Sequence, residues 1–136
     1  MSQQNLETVK RWVELWNARD LAAFETLHAP DVEIVPPEGW PDGEVITDRE
    51  AWMNQVIRIK DSWESDRIEP NELHDVGNSV IMRDRWTTVG RDSGIVFEND
   101  FWVVFTFDSG TMTRLEFFRD RSRALEAAGK AQQDAR

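Results

Sequence analysis

Cysteine and tyrosine are absent from this 136-residue chain, and histidine occurs only twice, as His28 and His74. Without cysteine there is no disulfide, no thiol nucleophile and no thiolate metal site. Without tyrosine no phenol can serve as a proton donor. The two histidines stand far apart, outside any E-x-x-H or D-x-H cluster, which is a weak basis for a metal site. Glycine-rich phosphate loops, a G-x-S-x-G elbow and a Ser–His–Asp spacing are all missing, so no cofactor is expected. Positive charge is scarce as well: 16 Lys plus Arg face 26 Asp plus Glu, for a formal charge of -10. That balance argues against nucleic acid and anionic membranes as partners. No run reaches the ~18 apolar residues of a membrane span. The start, MSQQNLETVKRW, lacks the basic-then-apolar order of an export signal, which leaves a cytoplasmic protein as the expectation.

What the chain does have is 40% apolar residues, with seven Trp and seven Phe among them. Its length fits one domain over residues 1–136, with a core of about 5–130 and a polar tail over 130–136. Leu6, Val9, Val13 and Trp16 recur at helical spacing, widened by Trp12 and Leu15. Asp20 is placed to cap a short second helix carrying Leu21, Phe24 and Leu27. Pro30 ends it, and a short strand is expected over 32–35 before Pro36 and Pro37. Thr47 and Glu50 have capping-box spacing, so a third helix begins there. Strands are expected over 64–75, 79–90, 95–107 and 111–119, then a short helix with Gly129 as its C-cap. Helices first and a strand meander afterwards indicate an α+β fold, with helices packed on one face of a curved, mostly antiparallel sheet.

The stretch DFWVVFTF, residues 100–107, is apolar without alternation and must be buried on both faces. One parity carries Phe101, Val103, Phe105 and Phe107, and the other carries Trp102 and Val104.

Several stretches together carry a family likeness: VELWNARDLAAFETLHAPDVEIVPPE, GRDSG, VVFTFDSGTMTRLEFFRD and RALEAAG. In their order and spacing, over roughly residues 5–130, the chain resembles the SnoaL-like branch of the nuclear transport factor 2-like superfamily. The resemblance implies a cone-shaped barrel, a bent sheet wrapped around three N-terminal helices with a pocket between them. It also implies a homodimer through the outer sheet face. There Trp102, Val104 and Phe118 would form an apolar patch left wet in a monomer. The alternative is that the C-terminal helix or tail covers that patch.

The resemblance also empties the best-known sites. The Tyr and two Asp of ketosteroid isomerases, a system used as a standard example of carboxyl tuning, fall on Trp12, Pro36 and Val103. The Asp–Arg–Asp set of limonene-epoxide-hydrolase-like members falls on Asp84, Trp86 and Phe117, so that triad is missing. The acidic residue of SnoaL-type cyclases falls near Phe117.

One carboxylate stands out. If the RDSG turn pairs Gly90 with Ile95, Asp84 lies opposite Phe101 and faces inward, and Arg85 pairs with Asp100 outside. A one-residue slip would instead turn Arg83 and Arg85 inward. An inward Asp84 among Trp and Phe holds its proton more tightly, as a general acid or base requires. A helix-borne partner that neutralises it is the competing expectation. His28, at a helix–strand corner, is expected to cap helix carbonyls or pack, and His74 to be solvated. Trp52 and Trp63 fit the core. Trp40, between Gly39 and Pro41, is the candidate lid. The expected pocket residues are Trp12, Trp16, Trp40, Trp86, Asn99, Phe101, Val103, Phe117 and Arg119, with Asp84 as the catalytic candidate, working with Asn99 or a water.

Three functions fit this pattern. One is a cofactor-free isomerase, hydratase or cyclase acting on a small hydrophobic molecule. Another is a ligand-binding or accessory dimer without catalysis. The last is a scaffold whose cone is filled by its own side chains.

Overall fold

The computed structural model describes residues 2–41 and 43–134. Helix α1 (Ser2–Ala18) buries Val9, Trp12, Val13 and Trp16, the stripe expected from their spacing. Arg19, at φ 59°, closes it: its N–H meets the Trp16 carbonyl, and the Asp20 N–H meets that of Leu15. This is a Schellman cap with arginine where glycine is usual. The Asp20 carboxylate then accepts from the Ala23 N–H to start α2 (Leu21–Glu25).

Strand β1 (His28–Val35) begins earlier than the sequence suggested and contains Pro30. It lies at an edge of the sheet, parallel to β5 (Thr111–Phe118), with a bulge between His28 and Glu33. Edge position and bulge together tolerate a proline that cannot donate. Helix α3 (Arg49–Ser62) is capped by Asp48, whose carboxylate accepts from the Ala51 N–H at 2.8 Å. Thr47 is one residue too early to be that cap. Strands β2 (Trp63–Val76), β3 (Ser79–Gly90) and β4 (Val96–Asp108) continue the antiparallel meander. The order across the sheet is β1-β5-β4-β3-β2.

The expected register holds. Asp84 pairs with Phe101, Arg85 with Asp100 and Trp86 with Asn99, and the Gly90 N–H bonds the Ile95 carbonyl at 2.8 Å. Phe101, Val103, Phe105 and Phe107 all enter the main core with α1, α2 and α3. Each such fully buried side chain contributes about 1.5–3 kcal/mol.

The outer parity gives a correction. Helix α4 (Arg121–Asp134) is longer than the short helix expected, and Gly129 lies within it rather than capping it. It lies across the outer sheet face, where Ala124 and Ala128 pack on Ile81 and Val104. Val104 is only 1% exposed in the isolated chain, and Trp102 and Phe118 are half-buried. The guanidinium groups of Arg83 and Arg121 sit 5.9 and 6.0 Å from the Trp102 ring. The chain's own helix therefore covers Val104 of the patch that suggested a twin subunit, while Trp102 and Phe118 stay half-buried. Small alanines let α4 approach closely enough to do this. Much of the expected polar tail is also helical, and residues 135–136 lie outside the described part.

Candidate functional site

Between α1, α3, the inner face of the sheet and loop residues 36–41 and 43–48 lies a cavity of about 1010 Å³. Its rim carries exposed Glu44, Val45, Asp48 and Arg58. Two backbone hydrogen bonds between Ile46 and Ile34, at 2.8 and 3.0 Å, tie the loop to β1 and fix the mouth.

The wall is aromatic and continuous. Trp40 meets Trp86 at 6.1 Å and Phe101 at 6.2 Å between ring centroids, and Phe101 meets Phe117 edge-on at 6.4 Å. Trp12 and Trp16 stack at 6.0 Å deeper in. Five Trp line the cavity, and four direct their indole N–H to acceptors inside the protein. Trp12 and Trp52 both donate to His28 Nε2, at 3.1 and 3.2 Å. Trp16 and Trp86 both donate to Asp66 Oδ2, at 2.7 and 2.9 Å. Trp40 has no acceptor among the described residues.

These two acceptors explain the wall's rigidity. His28 Nε2 receives two N–H groups and so carries no proton, which leaves Nδ1–H to donate to the Phe24 carbonyl at 3.1 Å. Burial pushes its pKa down to about 4, against smaller upward pulls from the Glu25 and Phe24 backbone and ahead of a small downward push from Arg49. It caps and packs a corner, as the sequence suggested, and does not line the cavity.

Asp66 was not anticipated, and neither was Lys60. Lys60 Nζ meets Asp66 Oδ1 at 2.9 Å, donates to the Trp16 carbonyl at 2.8 Å, and lies 4.1 Å from the Trp16 ring centroid. Both side chains are almost wholly buried. Burial lowers the Lys60 pKa, and the Asp66 hydrogen bond and charge oppose that. A sequence signal existed: Lys60 follows Trp52, Met53 and Val56 on one helical stripe, and Asp66 shares parity with buried Ile68.

Asp84 is a buried polar group of the wall with one carboxyl oxygen left unengaged. It lies on β3, lines the cavity and is 2% exposed, and its Oδ1 has no hydrogen-bond partner. Burial pushes its pKa up to about 7; the Phe101 backbone N–H pulls the other way, and the Asp100 charge adds a small upward push. Pro70, opposite on β2, has no N–H to offer. Arg83 and Arg85 face outward, paired with Glu72 at 3.3 Å and Asp100 at 3.1 Å.

Of the residues expected at the pocket, Trp12, Trp16, Trp40, Trp86, Phe101, Phe117 and Asp84 line the cavity. Val103 does not, because it is fully buried in the core between Met82 and Phe117. Asn99 sits beside Trp86, outside the lining. Arg119 is exposed: it donates to the Glu38 carbonyl at 3.1 Å and lies 5.4 Å from the Phe101 ring, also outside the lining. Trp63 is half-buried at the start of β2, edge-on to Trp86, and His74 is exposed and bonded to Glu72.

A family model described as the SnoaL-like domain matches residues 9–115. Among solved structures, an NTF2-like protein of unknown function from Burkholderia pseudomallei K96243 is 21% identical, with 93% of this chain and 97% of that chain covered and a TM-score of 0.78. A putative SnoaL-like polyketide cyclase from Jannaschia sp. CCS1 is 17% identical, covering 94% and 92%, with a TM-score of 0.76. An LEH-like epoxide hydrolase from M. tuberculosis is 11% identical, covering 96% and 92%, with a TM-score of 0.74. No match is found among curated proteins.

Proposed function

The chain belongs to the SnoaL-like domain family, and from that premise we propose that its cavity binds a small apolar or aromatic molecule on which Asp84 acts as the acid–base group. The observation that carries this reading is a carboxyl, 2% exposed, in the wall of an aromatic cavity, whose Oδ1 has no hydrogen-bond partner. A carboxyl with a pKa of about 7 holds both of its forms near neutrality. The carboxylate takes a proton from carbon or from water, and the acid returns it to another atom of the same ligand. The indole donors of Trp12, Trp16, Trp52 and Trp86 are engaged, so a developing oxyanion deep in the cavity finds its donor in Asp84 itself. Isomerisation, hydration and cyclisation are the reactions within reach of one such group. The polyketide cyclase and epoxide-hydrolase-like neighbours support a hydrophobic organic substrate.

A second reading, a binding protein without catalysis, is favoured by the same solitude of Asp84. The other carboxylates of the described lining, Glu44 and Asp48, are exposed at the rim, and Asn99 lies outside the lining.

A screen of sterols and polyketide-like aromatics by Trp fluorescence finds the ligand class. The Asp84→Asn variant then separates the readings. Loss of turnover by about 10²-fold or more with binding retained supports acid–base work. Unchanged turnover ends that assignment. Bound ligands that no variant or wild-type protein transforms leave the binding protein.

A further inference from the structure

We propose that the molecule held in this cavity carries a basic or quaternary nitrogen, whose positive charge sits against the aromatic wall with the Asp84 carboxylate as its counter-charge. The inference rests on the cavity being a ligand site, as argued above, and adds the chemistry of the ligand.

The wall supplies the two things an organic cation needs after leaving water. Aromatic rings attract a cation through their quadrupole, most strongly when the site is desolvated. Trp86 is the next inward residue on the strand that carries Asp84, Phe101 lies directly across from it, and Trp40 touches both rings. A buried charge also needs an opposite charge, or its desolvation is prohibitive. Asp84 is among the residues lining the cavity, and its buried Oδ1 has no hydrogen-bond partner.

The molecule already holds an ammonium group in this manner. Lys60 Nζ lies 4.1 Å from the Trp16 ring centroid with the Asp66 carboxylate at 2.9 Å. Around Asp84 the rings and the carboxylate recur without the nitrogen.

Other charges near the cavity are compatible. Asp66 is occupied by Lys60, and Asp100 is paired with Arg85 on the outer face. Arg58 at the rim is exposed and donates to Gln55, and Arg119 lies outside the lining, bonded to the Glu38 carbonyl. The described lining residues hold three carboxylates, Glu44, Asp48 and Asp84, against the single guanidinium of Arg58. The net charge of -10 draws cations toward the protein.

The test uses two probes of one shape, benzyltrimethylammonium and its uncharged isostere neopentylbenzene, titrated calorimetrically into the whole protein at pH 8.5, 6 and 5. At pH 8.5 the cation binds at least about tenfold more tightly than the isostere. Its affinity falls by up to about tenfold per pH unit below the Asp84 pKa of about 7, while that of the isostere stays level. At pH 6 the cation displaces close to one proton, seen as a heat that follows the ionisation enthalpy of the buffer. Asp84→Asn abolishes both the preference and the proton release. Equal binding of the two probes at pH 8.5, or no proton release by the wild-type protein, overturns the inference and leaves the cavity reading standing. Failure of both probes to bind at millimolar concentration overturns the two together. The proton release is read on the wild-type protein, so a variant that fails to fold does not blur the result.

Discussion

Replacing Asp84 by Asn should change how stability depends on pH, and the size of the change follows from burial. Burial raises this carboxyl from its ordinary 3.8 to about 7 in the folded chain. Between those values the unfolded chain has lost the proton and the folded chain keeps it. Stability therefore declines as pH rises, by about 1.4 kcal/mol per pH unit and about 4 kcal/mol in all. The contribution is intact below pH 3.8 and fully lost above about 7. His28 works in the opposite sense. Its folded pKa of about 4 lies below the ordinary 6.5, so the unfolded chain binds the extra proton, and stability rises with pH across that window. In the wild-type protein the two slopes nearly cancel from about pH 4 to 6.5, and the Asp84 decline shows alone from there to about 7. Asparagine removes one of them and exposes the rising His28 limb.

Urea unfolding of both proteins at each pH from 4 to 8 reads this directly, because titrations common to both cancel in the difference. The stability of the variant minus that of wild type should climb by about 4 kcal/mol from pH 4 to pH 8. A difference that stays constant within about 0.5 kcal/mol would show that Asp84 is solvated or paired, and the site argument would fall with it.

His28→Phe keeps a ring of similar size but strands the indole N–H groups of Trp12 and Trp52, which costs about 2–5 kcal/mol in chemical denaturation. A loss below about 1 kcal/mol would mean that water satisfies them. Asp66→Asn leaves Lys60 buried without its counter-charge and should cost about 3–5 kcal/mol. Adding Lys60→Met recovers a large part, and a double-mutant cycle reads the coupling; simple additivity would deny that the pair acts as a unit. Ala128→Arg cannot fit between α4 and the sheet. It should lift the helix, shift Trp102 emission to the red and bring the outer face into contact with other copies, measured by fluorescence and sedimentation. An unshifted spectrum with a tightly held α4 would contradict the packing described.

The inward placement of Asp84 was readable because the side-chain period of a strand is two, and the Gly90–Ile95 hydrogen bond sets the β3–β4 register. The same parity placed Phe101, Val103, Phe105 and Phe107 in the core, and helical spacing placed Trp12 and Trp16 beside them. The likeness in motif order extended these local rules to the whole cone.

Local rules do not reach the identity of partners far apart along the chain. Trp16 finds Asp66, and Trp52 finds His28, only when helices and sheet have docked. Whether an inward residue lines the cavity or the solid core is likewise a matter of depth: Phe101 borders the space, while Val103, two residues on, does not. The outer face shows the same limit. The sequence of DFWVVFTF demands burial on both faces, since a wet row of Trp102 and Val104 is unfavourable, but burial is non-directional and accepts any apolar cover. That the cover is the chain's own α4 depends on two alanines arriving over Ile81 and Val104, a matter of where the last strand delivers the helix.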